Sequence, residues 1–319
     1  MPVRNEGAFL TVSLDALDAQ TLPDDAFEIL IVDGGSTDDT LDIARARAAT
    51  DPRIRILGGP GVNTPAAMNV GLDAASGEYI AKVDGHGRVN DVFLETALRI
   101  LDGNPGVGCV GGRIEPVATT TTQRAIEIAR FSKLGVGSGI YTAPQVVHEI
   151  DTVQCGVYRK TVLEAIGGFD TSMAYGEDEE VNHRVRASGS RIVFDPAMRF
   201  NYHVRPTLRA LLRQYWNYGR ARIRVVRKHP DFLRPKHLVP AILLVTLTGG
   251  VVLGLLVDPR IAVVIDGGYV LGLAVAGVGL AARKGFRRAD LVAAALACLH
   301  LGYGTGTLAG LGDLVRSRR

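Results

Sequence analysis

The chain has 319 residues, enough for a full α/β domain with material left over. Its 36 basic and 33 acidic residues nearly cancel to +3, so any basic surface has to be local. Cys109, Cys155 and Cys298 lie far apart with no C-x-x-C spacing, which excludes a disulfide framework and a cysteine zinc site and fits a reducing compartment.

Hydrophobicity is uneven along the chain. Residues 1–236 carry charges throughout, whereas residues 238–312 hold three long apolar stretches separated by short charged links. The opening Met1-Pro-Val-Arg-Asn-Glu6 has no apolar signal-peptide core, so the charged part is expected in the cytoplasm. The expected division is an α/β domain over 1–202, a basic amphipathic interfacial region over 203–236, and a membrane anchor of two or three transmembrane helices over 237–319.

In chain order, Pro2–Glu6 reads as the end of a strand entering a helix, with Asn5 as its cap. The strand before it is almost absent: either the true start lies upstream or the first strand is unusually short. Residues 6–20 read as a helix with Phe9, Leu10, Val12, Leu14 and Leu17 inward, and Phe27–Asp33 as a strand covered on both faces. That strand ends in Asp33-Gly-Gly-Ser-Thr-Asp38-Asp39-Thr40 before a helix over 41–49, a strand–glycine–helix unit whose edge is a ready ligand site. A strand over 53–57, a loop over 58–61, and a helix opened by Thr64-Pro65 and ended by Gly77 follow.

Tyr79-Ile-Ala-Lys-Val-Asp84-Gly-His86 comes next, an apolar strand broken only by Lys82. It ends on two metal-competent side chains at i and i+2, which project to the same side. Further on stand a helix near 91–101, a strand over 107–110, a helix over 123–134, a Gly/Ser loop over 135–139 and a strand over 153–158. Glu177-Asp178-Glu179-Glu180 opens a helix to Ala187, before a last strand over 191–194. The alternation of strand and helix predicts a mostly parallel, doubly wound sheet. Acids in a first helical turn complement the dipole, and Glu179–His183 and Glu180–Arg184 are i,i+4 pairs. Four adjacent acids also repel one another, which raises the pKa of at least one and suits a general base.

Taken together, Pro2-Val-Arg-Asn-Glu6, Val32-Asp-Gly-Gly-Ser36-Thr-Asp38-Asp-Thr40, Asn69-Val-Gly71 with Gly77-Glu-Tyr-Ile80, Asp84-Gly-His86, Gly168-Phe-Asp170 and Glu177-Asp178 resemble, in order and spacing, family 2 glycosyltransferases of the GT-A fold. With its apolar tail the chain is similar to bacterial membrane-associated exopolysaccharide (succinoglycan-type) glycosyltransferases. The resemblance implies a Rossmann-like sheet flanked by helices, with Pro2, Arg4 and Glu6 lining the nucleotide pocket, Asp33 accepting hydrogen bonds from the donor base, and Asn69 among the donor-binding residues. It further implies that Asp84 and the position of His86 hold a divalent cation and the sugar diphosphate. Asp178 matches the catalytic base, with Glu177 beside it. Two departures stand out. His86 replaces the usual second Asp, which predicts better use of Mn²⁺ than of Mg²⁺ because imidazole is a softer ligand; the near-absent first strand bears on Pro2 and Arg4.

From Thr207 to Lys228, arginines 209, 213, 220, 224 and 227 fall within roughly a 60° sector of a helix, beside an aromatic and aliphatic face. Such a stripe suits anionic lipid headgroups, and with an apolar tail downstream no nucleic-acid partner is expected. Gln214-Tyr-Trp-Asn-Tyr218-Gly-Arg220 lies where processive synthases of the family carry Q-x-x-R-W; Asn217 and Tyr218 replace that Arg-Trp pair, which favours transfer of a single sugar. Arg220 or Arg205 is a candidate diphosphate contact and His203 a candidate metal or phosphate contact. Residues 238–257, 261–282 and 291–312 are each long enough to span a bilayer. The Arg283-Lys-Gly-Phe-Arg-Arg288 loop should face the cytoplasm, which agrees with an inner-membrane, multi-pass enzyme whose catalytic domain is cytoplasmic. Three full spans would then place Arg316, Arg318 and Arg319 outside, and a re-entrant third segment would resolve the conflict.

The leading expectation is an inverting, metal-dependent glycosyltransferase moving one sugar from a nucleotide sugar, UDP-linked by preference, to a membrane-held, polyprenyl-linked or saccharide acceptor. Transfer to polyprenyl phosphate itself is the alternative, and a catalytically silent nucleotide-binding scaffold is the alternative of another class.

Overall fold

A computed structural model of the protein describes residues 1–58, 61, 63–135 and 146–316. Residues 59–60 of the loop expected over 58–61, residues 136–139 of that over 135–139, and the arginines at 318 and 319 lie outside the described residues. The chain divides into two compact units, residues 1–115 with 143–202 and residues 116–142 with 203–319. The segment around residues 116–142 thus joins the basic and apolar helices of the tail.

The first unit opens with a two-residue strand, β1 (Pro2–Val3), then α1 (Gly7–Asp18), β2 (Ile29–Asp33), α2 (Thr40–Ala48), β3 (Ile54–Gly58) and α3 (Thr64–Ala74). β1 and β3 flank β2 as a parallel sheet, with Val3 opposite Asp33 and Asp33 opposite Gly58. The first strand is therefore short but present. Asn63 caps α3 by accepting from the Ala66 amide, one residue ahead of the Thr64-Pro65 start.

A second sheet contains β4 (Tyr79–Ala81), β5 (Arg88–Val89), β6 (Val107–Val117), β7 (His148–Glu149), β8 (Val157–Arg159) and β9 (Arg191–His203), ordered β4-β8-β6-β9-β5 with β7 on β9. Its described pairings are antiparallel, so the mostly parallel sheet expected from the sequence holds only for β1 to β3. Strand–helix alternation orders elements without specifying direction. The helices among these strands are α4 (Phe93–Gly103), α5 (Thr121–Arg130, in the second unit), α6 (Lys160–Ala165) and α7 (Glu177–Ala187). α3, α6 and α7 close one core with β6 and β8, where Met68, Leu72, Cys109, Tyr158, Leu163, Phe169, Val181 and Val185 are buried together. Burying such side chains at about 1.5–3 kcal/mol each fixes where the ends of β4 and α7 meet.

In the second unit, α5 starts with a reciprocal capping box between Thr120 and Gln123. Then come α8 (Leu208–Lys228), α9 (Val239–Leu256), α10 (Pro259–Ala262), one π-helical turn (Val263–Gly267) continuing into α11 (Gly268–Arg283), and α12 (Ala289–Arg316). Thr207 caps α8 through the Ala210 amide, and the helix buries Leu211, Tyr215, Ala221, Ile223 and Val225 while Arg209, Arg213, Arg224 and Arg227 stay exposed. Among the described residues, three helical stretches, Val239–Leu256, Pro259–Arg283 and Ala289–Arg316, are long and apolar enough to cross a membrane.

Candidate active site

The site is built where β4 runs out. Lys82 follows the strand, its amide bonded to the Gly156 carbonyl at 3.0 Å, and its side chain is only 2% exposed. Its ammonium stands 2.6 Å from Asp178 Oδ1, 3.4 Å from Glu177 Oε1 and 4.0 Å from Asp84 Oδ1. Residues nearly a hundred positions apart are thus gathered on one buried cation. Glu177 and Asp178 arrive on the first turn of α7, which Gly176 enters from the left-handed region at φ 79°. Glu180, the fourth acid of the run, turns away and makes a two-pronged pair with Arg184 at 2.7 Å.

Burial works to lower the Lys82 pKa, yet the carboxylates of Asp178, Asp84 and Glu177 overcome it and hold the ammonium well above its ordinary range. Burial pushes the Asp178 carboxyl up to about 7; Lys82 pulls against that rise, and the like charges of Glu177 and Asp84 add to it. Asp178 is therefore a carboxyl that can take or release a proton near neutral pH. The sequence marked the acidic run as a source of such a group. It did not mark Lys82, although a lone lysine in an apolar strand is itself a sign that acids wait for it.

After Asp84 the chain turns at Gly85-His86, closed by the Gly87 amide on the Asp84 carbonyl at 2.8 Å. A Cβ at Gly85 would lie 2.8 Å from Val3 Cγ1 and 2.9 Å from Glu6 Cγ, so glycine is what lets this turn meet the N-terminal segment. There His86 Nδ1 pairs with Glu6 Oε1 at 2.8 Å. Asn5, held at φ 56°, accepts from the Thr37 amide at 2.8 Å, while the Glu6 amide donates to Thr40 Oγ1. These bonds tie the Pro2–Glu6 segment to the 33–40 loop. Asp33 is 7% exposed at the end of β2 and accepts from the Gly35 amide at 3.0 Å and from Ser36 Oγ at 2.5 Å. Pro2 is buried in β1 and Arg4 is exposed.

Asn69 and Arg220 have partners of their own within the protein. Asn69 has both amide atoms on the Phe169 backbone, at 2.7 and 2.8 Å, so it clamps the Gly168-Phe169 loop. Gly168 is at φ +69°, and a Cβ there would lie 2.6 Å from Asn69 Oδ1. Arg220 is in the second unit, where its Nε donates to Asp313 Oδ2 at 2.6 Å and its guanidinium stacks 5.3 Å from the Trp216 ring. His203 is the last residue of β9 and belongs to that same unit.

As for a metal, no group of three or more His, Cys, Asp or Glu side chains converges as a cation site among the described residues. Asp84 and His86, the two expected ligands, have side chains 30% and 44% exposed. Two protein donors suit a cation whose other positions are filled by phosphate oxygens and water.

The Glycosyl transferase family 2 profile matches residues 1–167, more than half of the chain. The chain belongs to glycosyltransferase family 2. This glycosyltransferase is 31% identical over 244 residues to the succinoglycan biosynthesis protein ExoA of Rhizobium meliloti, an alignment covering 75% of this chain and 73% of ExoA. It is 28% identical over 274 residues, 83% of this chain and 84% of the relative, to the dolichyl N-acetyl-α-D-glucosaminyl phosphate 3-β-D-2,3-diacetamido-2,3-dideoxy-β-D-glucuronosyltransferase of Methanococcus voltae. Among solved structures, the mannosyltransferase PcManGT of Pyrobaculum calidifontis superposes with a TM-score of 0.58 at 19% identity, covering 98% of this chain and 86% of that one. The fold is GT-A, as the sequence motifs implied.

Proposed function

We propose that this glycosyltransferase moves a single sugar from a nucleotide-sugar donor to a lipid-linked sugar acceptor at the membrane, with inversion at the anomeric carbon and with a divalent cation held by Asp84 and His86. The observation that carries the reading is the buried Asp178 carboxyl, pushed up to about 7 and held 2.6 Å from Lys82 beside Glu177 and Asp84. A base of that kind accepts the acceptor hydroxyl proton as the new C–O bond forms and the sugar–diphosphate bond breaks. No covalent intermediate is needed, so a single in-line displacement inverts the configuration.

Each residue then has a task. Lys82 holds Asp178 and Glu177 in place, and Asp33, with its carboxylate fixed by Gly35 and Ser36, presents an acceptor to the donor base. Pro2, Arg4 and Glu6 line the nucleotide side of the cleft. A cation at Asp84 and His86 would supply Lewis-acid charge to the departing diphosphate. Support for a cation and a nucleotide donor comes from PcManGT, whose structure holds GDP-Man and Mn²⁺. Support for a lipid-linked sugar as acceptor comes from the Methanococcus relative, described as acting on a dolichyl-linked sugar phosphate. ExoA supports a place in polysaccharide synthesis.

A thermal-shift panel of UDP-, GDP- and dTDP-sugars with Mn²⁺ identifies the donor, since a ligand of the folded state raises the melting temperature. With that donor, NMR of the product reads its anomeric configuration: inversion is expected, and a retained configuration would overturn the mechanism.

A further inference from the structure

Three stretches are apolar enough to cross a bilayer, but they are not equivalent. Half of the most apolar window of Ala289–Arg316 is buried inside the structure, against 22% for Val239–Leu256 and 6% for Pro259–Arg283. What buries the C-terminal half of α12 is α8, the arginine-rich helix. Added Cβ atoms at Gly302, Gly306 and Gly310 would lie 2.8 Å from the Leu212 carbonyl oxygen, 2.0 Å from that of Trp216 and 3.1 Å from that of Arg220. From the other side, a Cβ at Gly219 would lie 2.2 Å from the Tyr303 carbonyl oxygen. The two backbones therefore run in contact over residues 212–220 and 302–310, advancing in the same direction. The Arg220–Asp313 pair extends the contact, and Arg222 Nε adds a bond to the Tyr303 hydroxyl at 2.9 Å.

Over its whole length α8 exposes Arg209, Arg213, Arg224, Arg227 and Lys228. Arginines and lysines are expelled from hydrocarbon and settle in headgroups or water. A helix carrying five of them cannot lie in the bilayer core, and neither can the part of α12 bound to it. Taking residues 302–316 away leaves 289–301, roughly 20 Å of helix against a hydrocarbon thickness of about 30 Å.

We infer that the chain crosses the membrane twice, through α9 and through the α10–α11 rod, and that α12 returns to pack along α8 on the face where it started. The two crossing segments are 18 and 25 residues long, about 27 and 37 Å as helices, and they present Leu255, Leu256, Val264 and Leu271 outward. They meet as a tight pair where a Cβ at Gly254 would lie 2.6 Å from Ala262 Cβ. Two crossings bring Arg283, Lys284, Arg287, Arg288 and Arg316 all to the side of α8, as the positive-inside rule requires. Residues 204–207 are too few to cross a bilayer, so this is also the side of β9 and the catalytic unit. The third apolar helix is then a cover for α8 at the lipid surface.

Single cysteines at Asp258→Cys, Arg287→Cys and Gly312→Cys in the full chain test this with a membrane-impermeant maleimide, read as a mass shift above the wild-type background. Intact cells should label only the 258 variant, whereas inside-out vesicles should label the 287 and 312 variants. Labelling of 312 from outside, with 287 labelled from inside, would establish three crossings and overturn the inference. Labelling of all three in inside-out vesicles alone would establish no crossing and overturn it equally. Val315→Cys gives the same reading if the 312 variant is not made.

Discussion

Replacing Lys82 with methionine keeps the length of the side chain and removes the ammonium set among Asp178, Glu177 and Asp84 at 2.6, 3.4 and 4.0 Å. The position is 2% exposed, so water cannot take over its role. Deleting one partner of a buried ion pair costs about 3–5 kcal/mol, because the remaining charge is left uncompensated. At about 2–4 °C per kcal/mol for a unit of this size, the melting temperature falls by roughly 6–20 °C. The loss has a definite pH dependence. Asp178 already titrates near 7 with Lys82 present. Without the ammonium its pKa rises further, so protonation relieves the variant as the pH falls, and the deficit at about pH 8 shrinks toward about pH 5. Scanning fluorimetry of the solubilised full chain measures it, and Lys82→Met with Asp178→Asn should recover part of the loss. A Lys82→Met protein melting within about 2 °C of wild type at about pH 8 would refute the reasoning.

Three further outcomes follow from the same structure. The transfer rate at saturating donor should rise about tenfold per pH unit and level off above about 7, as Asp178 loses its proton; a flat profile through this range would remove Asp178 as the base. His86→Asp should lower the ratio of Mn²⁺- to Mg²⁺-supported activity at least several-fold, and an unchanged ratio would contradict imidazole ligation. Gly306→Ala, whose Cβ would lie 2.0 Å from the Trp216 carbonyl oxygen, should force α8 and α12 apart at a cost of about 1–3 kcal/mol, read as a lower melting temperature, while Gly312→Ala, with nothing within 4 Å, should leave it unchanged.

Much of the site could be read from local pattern. Asp33 ends an apolar strand, Asp84 lies three residues past the end of another, and the acids at 177–180 open a polar helix, so each declared its place near the edge of a sheet or the start of a helix. What could not be read depends on partners remote in sequence. That Lys82 selects Glu177 and Asp178, and that Glu6 reaches His86, follows from the meeting of β4 with α7 and of Gly85 with Val3, which no spacing encodes. Asn69 was legible as important but not as a clamp, since its partner is a backbone a hundred positions away. The direction of the second sheet escaped for the same reason, and β7 and α6 were too short to show a period. The terminal arginines suggested a re-entrant third apolar segment, and the role of its glycines could not be read. These glycines permit close packing on α8, and the helix runs unbroken from Ala289 to Arg316.

The account rests on Asp178 as the group that receives the acceptor proton, and Asp178→Asn tests this most directly, because the amide keeps the shape and cannot act as a base. Transfer and donor binding should be measured on the same preparation, by product formation and by calorimetry. Transfer is predicted to fall by about 10²–10⁴-fold while donor affinity stays within about threefold of wild type. An Asp178→Asn enzyme that still transfers sugar within about tenfold of the wild-type rate would contradict the account.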